Sequence, residues 1–341
     1  QWSSSAASDV YKRQLYSNTE GDGNVAVGNL SLYNNTTGDY NGAFGFMALE
    51  QNTTGNQNNA FGFYALKNNT TGTSNNAFGA TALYSNTSGS LNNAFGHSAL
   101  TNNTTGVSNS AFGDYAMYDN TTGGYNSAFG YNALSYNTTG NYNTAVGTRA
   151  LYRNSTGSQN TAIGRYALYN STDASNIVAI GNEAFYNYTG SEGTGIAIGS
   201  QAAFNTISEP VVAIGYQALY NNTTGAQNMA FGWKSLYSNT TGQGNLGIGD
   251  DTLYSNTTGV QNAAIGWRAL NSNTTGTRNI GLGAQALYRN TSGSYNIAIG
   301  VVSLDSNTTG DYNIAIGDGS MFNNTVGSVS YTHLTLPTTT I

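Results

Sequence analysis

The residue types that usually carry chemistry are scarce in this 341-residue chain. There is no Cys, which excludes disulfides, thiolate metal sites and cysteine nucleophiles. Of the two His, His97 stands in a variable pair after Gly96, a column that elsewhere holds Phe63, Asp114, Tyr131 and Arg165. It reads as a surface residue, and neither a His cluster for a metal nor a Ser/His/Asp set is expected. Asp250 and Asp251 are the one adjacent acidic pair, far short of the about six to eight oxygens calcium takes, and read as solvated. The glycines recur in every unit, whereas a phosphate cradle is a single event between one strand and one helix. No catalytic residue, cofactor or metal is expected.

Two recurring features could bind rather than react. Asn-x-Thr triplets starting at Asn35, Asn52, Asn69 and Asn120 match the N-glycosylation acceptor, but a tight turn needs the same residues and is the favoured reading. A tyrosine column runs through Tyr118, Tyr152, Tyr169, Tyr186, Tyr220, Tyr237, Tyr254 and Tyr288. Rows of amphipathic rings suit contact with glycan or protein, and they equally suit packing between coils or subunits.

Composition narrows the partners. Only 8% of residues are charged, with a formal net charge of −6, so neither nucleic acid nor an anionic membrane surface is a natural partner. No run approaches the about 18 apolar residues of a membrane span. Aromatic residues make up 12% of the chain, which argues against disorder.

The element that must position these residues is a seventeen-residue repeat. A marker glycine falls at Gly28, Gly45 and every seventeen residues to Gly181, then, after steps of eighteen and sixteen, continues from Gly215 to Gly317. Eighteen units are marked this way, with segments such as NTAIGRYALYNST from Asn160 to Thr172. The fold class expected is all-β, a parallel β-roll or β-solenoid of about eighteen coils, because no unit could bury its apolar residues alone. The bulky residue before each marker glycine, Phe44 to Phe129 and then mostly Ile, is expected to be core, facing a second apolar column, Leu32 to Met321. The Asn column at Asn41, Asn58 and Asn75 would stack as an amide ladder. Each Asn-Thr-Thr-Gly is expected to reverse the chain with its Gly at positive φ. The alternative is a coil pairing one strand with a short helical turn over Ala-Leu-Tyr-x-Asn.

Within this pattern the residue before each column Ala changes along the chain. It is polar at Asn59, Asn76, Asn93, Ser110 and Thr144, and apolar at Val178, Ile196, Met229, Ile280 and Ile314. Either the later core is thicker or a subunit interface lies there. The irregular stretch from Ser171 to Pro210, where the Thr-Gly turn is lost twice, reads as drift ahead of a bend or binding loop.

Residues 1–14 and 329–341 share nothing with the repeat; SSAASDVYKRQ and VSYTHLTLPTT resemble a sequencing adapter read in its two directions. The domain expected is thus one solenoid over residues 15–328, cut at both ends. Over that span, runs such as AIGRYA (Ala162 to Ala167) and AIGYQA (Ala213 to Ala218) resemble the head repeats of YadA-like trimeric autotransporter adhesins, with similar repeats in phage tail-fibre-like proteins. The resemblance implies a parallel β-roll, a homotrimer, an extracellular position on a bacterial cell surface (or on a phage particle), and adhesion to an unknown host, matrix or glycan ligand. This repeat is longer than those heads, by about the Asn-Thr-Thr-Gly segment. The functions expected are a non-catalytic adhesive or structural fibre segment, alternatively a phage-type fibre shaft, alternatively an ice-binding solenoid using paired threonines such as Thr53/Thr54.

Overall fold

The computed structural model describes residues 13–190, 194–207 and 211–333. Most of the adapter-like tails lies outside the described residues. The chain forms two units, Gln1–Ser175 and Asn176–Ile341.

Both units are parallel β-solenoids with one three-residue strand per coil, and no helix occurs among the described residues. Among the described residues the first unit carries nine strands, β1 (Val25–Val27) to β9 (Thr161–Ile163), and the second ten, β10 (Val178–Ile180) to β19 (Tyr331–His333). Pairing is in register, Ala43 on Ala60 and Phe44 on Phe61 in the first unit, Ala298 on Ala315 in the second. β19 lies in the adapter-like tail and still pairs with Ile314–Ile316, since the ladder uses backbone groups that any residue supplies.

Two expectations about the coil are corrected. The bulky pre-glycine column is not core: Phe129 is 42% exposed and Ile248 38%, while the Ala between the two outward residues, from Ala43 to Ala315, is fully buried. Strand side chains alternate, and the apolar residues inside the thin regular coil are Ala43, Ala48 and Leu49 and their equivalents. The glycine of Asn-Thr-Thr-Gly, moreover, does not take a positive φ. Gly55 is required because a Cβ would collide with the carbonyl oxygen of Gly72 and the side chain of Asn52. The left-handed residue comes two positions later, at Gln57 (φ 56°).

The helical alternative also fails, for a related reason. Met47 and Leu49 are left-handed (φ 54° and 50°) with Ala48 between them, so no right-handed helix can run through them. A left-handed residue costs about 1 kcal/mol or more. The conformation is nonetheless repeated because it turns backbone groups along the stack: Leu49 N–H donates to Ala65 O (3.0 Å), Met47 N–H to Asn29 O (2.9 Å) and Gln57 N–H to Asp39 O (2.9 Å). Coils are thereby joined at their turns as well as at their strands.

Two buried Asn columns finish the interior. Asn58 receives its predicted place in an amide ladder: its N–H and Nδ2 both donate to Asn41 Oδ1 (3.0 and 3.2 Å), and Nδ2 also donates to Gly72 O (2.8 Å). The turn Asn forms a second ladder, with Asn52 Nδ2 donating to Asn35 Oδ1 (2.7 Å) and to Gly55 O (2.9 Å). Buried amides this well paired hold the coil rather than weaken it. The turn ladder stops at Asn154, whose Oδ1 has no donor because the next coil offers Ser171. At the start of the second unit apolar residues enter both columns, with Ile177 and Val211 in one and Tyr188 in the other, while Phe185 takes the place of the buried Leu; Ile177, Phe185 and Tyr188 are fully buried and Val211 nearly so. The irregular stretch is therefore a repacked interior, and residues 191–193 and 208–210, Pro210 among them, lie outside the described residues.

Candidate functional site

The tyrosine column follows the buried Leu of each coil, so its side chains point outward from a fixed backbone position and every one is half-buried. In the second unit Tyr186, Phe204, Tyr220, Tyr237 and Tyr254 form one continuous stack, with centroids 5.0, 5.2, 5.4 and 5.2 Å apart. Phe204 completes it, standing where the other coils of the stack carry Tyr. In the first unit Tyr152 stacks on Tyr169 at 5.2 Å, while Tyr118 leans on Tyr115 at 5.7 Å. Tyr288 is cut off from Tyr254 by Asn271, and these residues border a hollow of about 320 Å³ with Trp233, Lys234 and Arg268. The stacked rings pack between coils and also present their edges and hydroxyls to solvent.

Phenol acidity follows this packing. The Tyr152 hydroxyl is pushed up to about 12, first by its hydrogen bond with the Tyr136 hydroxyl and then by burial. Burial, with Tyr237 and the carboxylate of Glu183, raises Tyr220 as well. Both therefore stay protonated at neutral pH and can donate as well as accept hydrogen bonds.

Tyr136 lies off the column. Its coil carries Ser135 where its neighbours carry Tyr and places the ring one residue later, so that Tyr136 stands perpendicular to Tyr152 (88°) at 4.9 Å. The step opens a groove of about 800 Å³ on the first unit, bordered by Tyr136, Tyr152, Tyr169, Asp119 and Arg153. A lone exchange of neighbouring residues within one unit is its only mark in the sequence.

His97 is exposed, with its N–H donating to Asp114 Oδ1 (2.9 Å) and its ring against Tyr115. Asp250 accepts from Trp233 N–H (2.9 Å), and Asp251 meets Arg268 at 3.5 Å. No group of three or more His, Cys, Asp or Glu able to hold a metal occurs among the described residues. The triplet residues Asn35, Asn52, Asn69 and Asn120 are fully buried with their amides bonded, so the folded coil offers none of them to a glycosyltransferase. The first Thr of each pair directs its hydroxyl to a neighbouring carbonyl, as Thr53 Oγ1 does to Thr70 O (3.0 Å), leaving the second Thr as a single exposed file.

The strands supply a second surface. In the first unit the rings from Phe44 to Phe129 stack at 4.6 to 4.9 Å beside an amide row in which Asn59 and Asn76 donate to the next Asn. In the second unit both outward columns are aliphatic almost throughout, from Val178 and Ile180 to Ile314 and Ile316.

No family model matches this chain, and no curated protein is significantly similar to it.

Proposed function

We propose that this chain is an adhesive or structural segment of an extracellular fibre, of the kind found in YadA-like adhesins, acting by repeated surface contact rather than by catalysis and working as a homo-oligomer, most simply a trimer. One observation carries the reading: the outward strand positions of the second unit form an apolar face, with Met229 49% exposed and Ile280, Ile299 and Ile316 each 37% to 39% exposed. A contiguous apolar face of this kind favours association, and successive coils repeat it in register. The repeat of rings and side chains on the other faces supports multivalent contact, in which many weak sites on one rigid support add up to strong attachment. The likeness of the Ala-Ile-Gly-x-x-Ala runs to the adhesin heads supports the same reading, as does a surface poor in charge.

The test combines mass and adhesion. Sedimentation equilibrium is expected to return a multiple of the 35.6 kDa chain, and beads coated with it are expected to attach to cells or immobilised matrix. A monomer whose coated beads stay unattached would overturn the reading.

A further inference from the structure

The groove around Tyr136 has the chemistry of a sugar site. Its wall is an aromatic corner, with Tyr136 47% exposed and set at right angles to Tyr152, which is itself backed by Tyr169. A corner of rings offers apolar surface to the C–H face of a pyranose and phenol hydroxyls to its rim. Around it stand groups of both hydrogen-bonding senses. Asp119 accepts from Asn102 Nδ2 (2.9 Å) through one carboxylate oxygen and has further acceptor capacity; Arg153 is exposed and supplies donors. Thr121 and Thr138 commit their hydrogens to the carbonyls of Thr138 and Ser155 (2.9 and 3.0 Å), so the Thr121 oxygen is left to accept, while that of Thr138 also meets Ser155 Oγ (3.0 Å) and keeps one lone pair.

We propose that this groove binds a neutral oligosaccharide of about two or three sugar rings, held on the Tyr136–Tyr152 corner and hydrogen-bonded by Asp119, Arg153 and the threonine oxygens. The volume of about 800 Å³ is in the range of small-ligand sites. Asp119 and Arg153 give the groove one charge of each sign, which favours an uncharged, hydroxyl-rich ligand over a polyanion. The proposal rests on the adhesive reading and narrows it to one ligand class on the first unit. The corner is local: the second unit has a longer ring stack, but there the rings cover one another and, among the described residues, no perpendicular ring opens the column.

The experiment uses the full chain and a panel of neutral trisaccharides and tetrasaccharides of glucose, galactose and N-acetylhexosamine, with sialyllactose as the acidic comparison, read by saturation-transfer NMR and calorimetry. At least one neutral member is expected to bind, to lose tenfold or more in affinity with Tyr136→Ala, and to keep its affinity with Tyr237→Ala in the second unit. The paired change Ser135→Tyr with Tyr136→Asn restores the ordinary coil pattern; it is expected to keep the circular dichroism spectrum and abolish binding. Absence of binding to every neutral sugar, stronger binding of sialyllactose, or an affinity indifferent to Tyr136 would each overturn the proposal. Beads that still adhere to cells or matrix while no sugar binds would sink the sugar site and leave the adhesive reading standing, whereas a monomer that binds no sugar and whose beads stay unattached would remove both.

Discussion

The two units share an interior and differ on the outer face of their strands. Both bury Ala and Leu columns and two bonded Asn columns, as at Ala94, Leu100 and Asn109 in the first unit and at Ala264, Leu270 and Asn262 in the second. On the strand face the first unit sets polar Asn and Ser beside stacked Phe, and Thr beside Val146 and Ile163, whereas the second sets Val and Ile beside Ile. The coil is thus fixed by what lies inside it, and two outward positions per strand are free to decide between a polar face closed by its own ladders and an apolar face suited to a neighbour.

If the interior is common, removing one ladder amide should cost the same in either unit. Asn109→Ala strips the acceptor from Asn126 N–H and Nδ2 (3.1 and 3.2 Å), and Asn262→Ala does the same to Asn279 (3.0 and 3.1 Å). Each is expected to destabilise its unit by about 3 kcal/mol, since buried donors lose their partner. Unit-resolved hydrogen exchange checks both, and a large inequality would break the claim of a shared interior.

Exchanging the faces gives a smaller effect. Ile280→Asn, Ile297→Ser and Ile314→Thr together would give the second unit the polar row of the first, and are expected to weaken self-association by about tenfold or more, on the order of 1.4 kcal/mol. The converse pair, Asn76→Ile and Asn93→Ile, is expected to strengthen it. Sedimentation at several concentrations reads both, with the fold unchanged by circular dichroism in each case.

The smallest expected effect lies in the ring column of the second unit. Burial raises the Asp305 carboxyl above its ordinary value, only partly opposed by Arg289 at 3.7 Å. A carboxyl raised on folding favours the fold when protonated, so the coil should gain stability as pH falls through that raised value and lose it again as pH rises. Asp305→Asn is expected to remove this dependence and slightly raise the melting temperature at pH 7, by scanning calorimetry between pH 3 and pH 7.

Much of this was legible in the residues, because a repeat states each demand many times. The period, the parallel strands and the ladder of Asn41, Asn58 and Asn75 all follow from columns that rarely vary. Which side of the strand faces inward did not follow. A three-residue strand alternates equally well with Phe or with Ala inside, and bulk alone favours Phe; the deciding fact is the thinness of the coil, signalled by an Ala column interrupted only by Gly247 and Gly281. The left-handed Leu residues were hidden as well, since Leu carries no local preference for that backbone and adopts it for bonds to the next coil. The ring column was readable as a surface file, but the groove was not, because it depends on one residue, Tyr136, standing outside every column.

The locked carboxamides bear on how the molecule ages. Asparagine is chemically fragile because the next residue's amide nitrogen can attack its side chain, and Asn41 is followed by Gly42, the least hindered of neighbours. Here that nitrogen is already engaged, Gly42 N–H with Asn58 O (2.8 Å) and Thr53 N–H with Thr70 O (3.0 Å), and the carboxamides themselves cannot rotate. Deamidation must wait for a coil to open, so the working lifetime of so asparagine-rich a chain is set by its rate of unfolding.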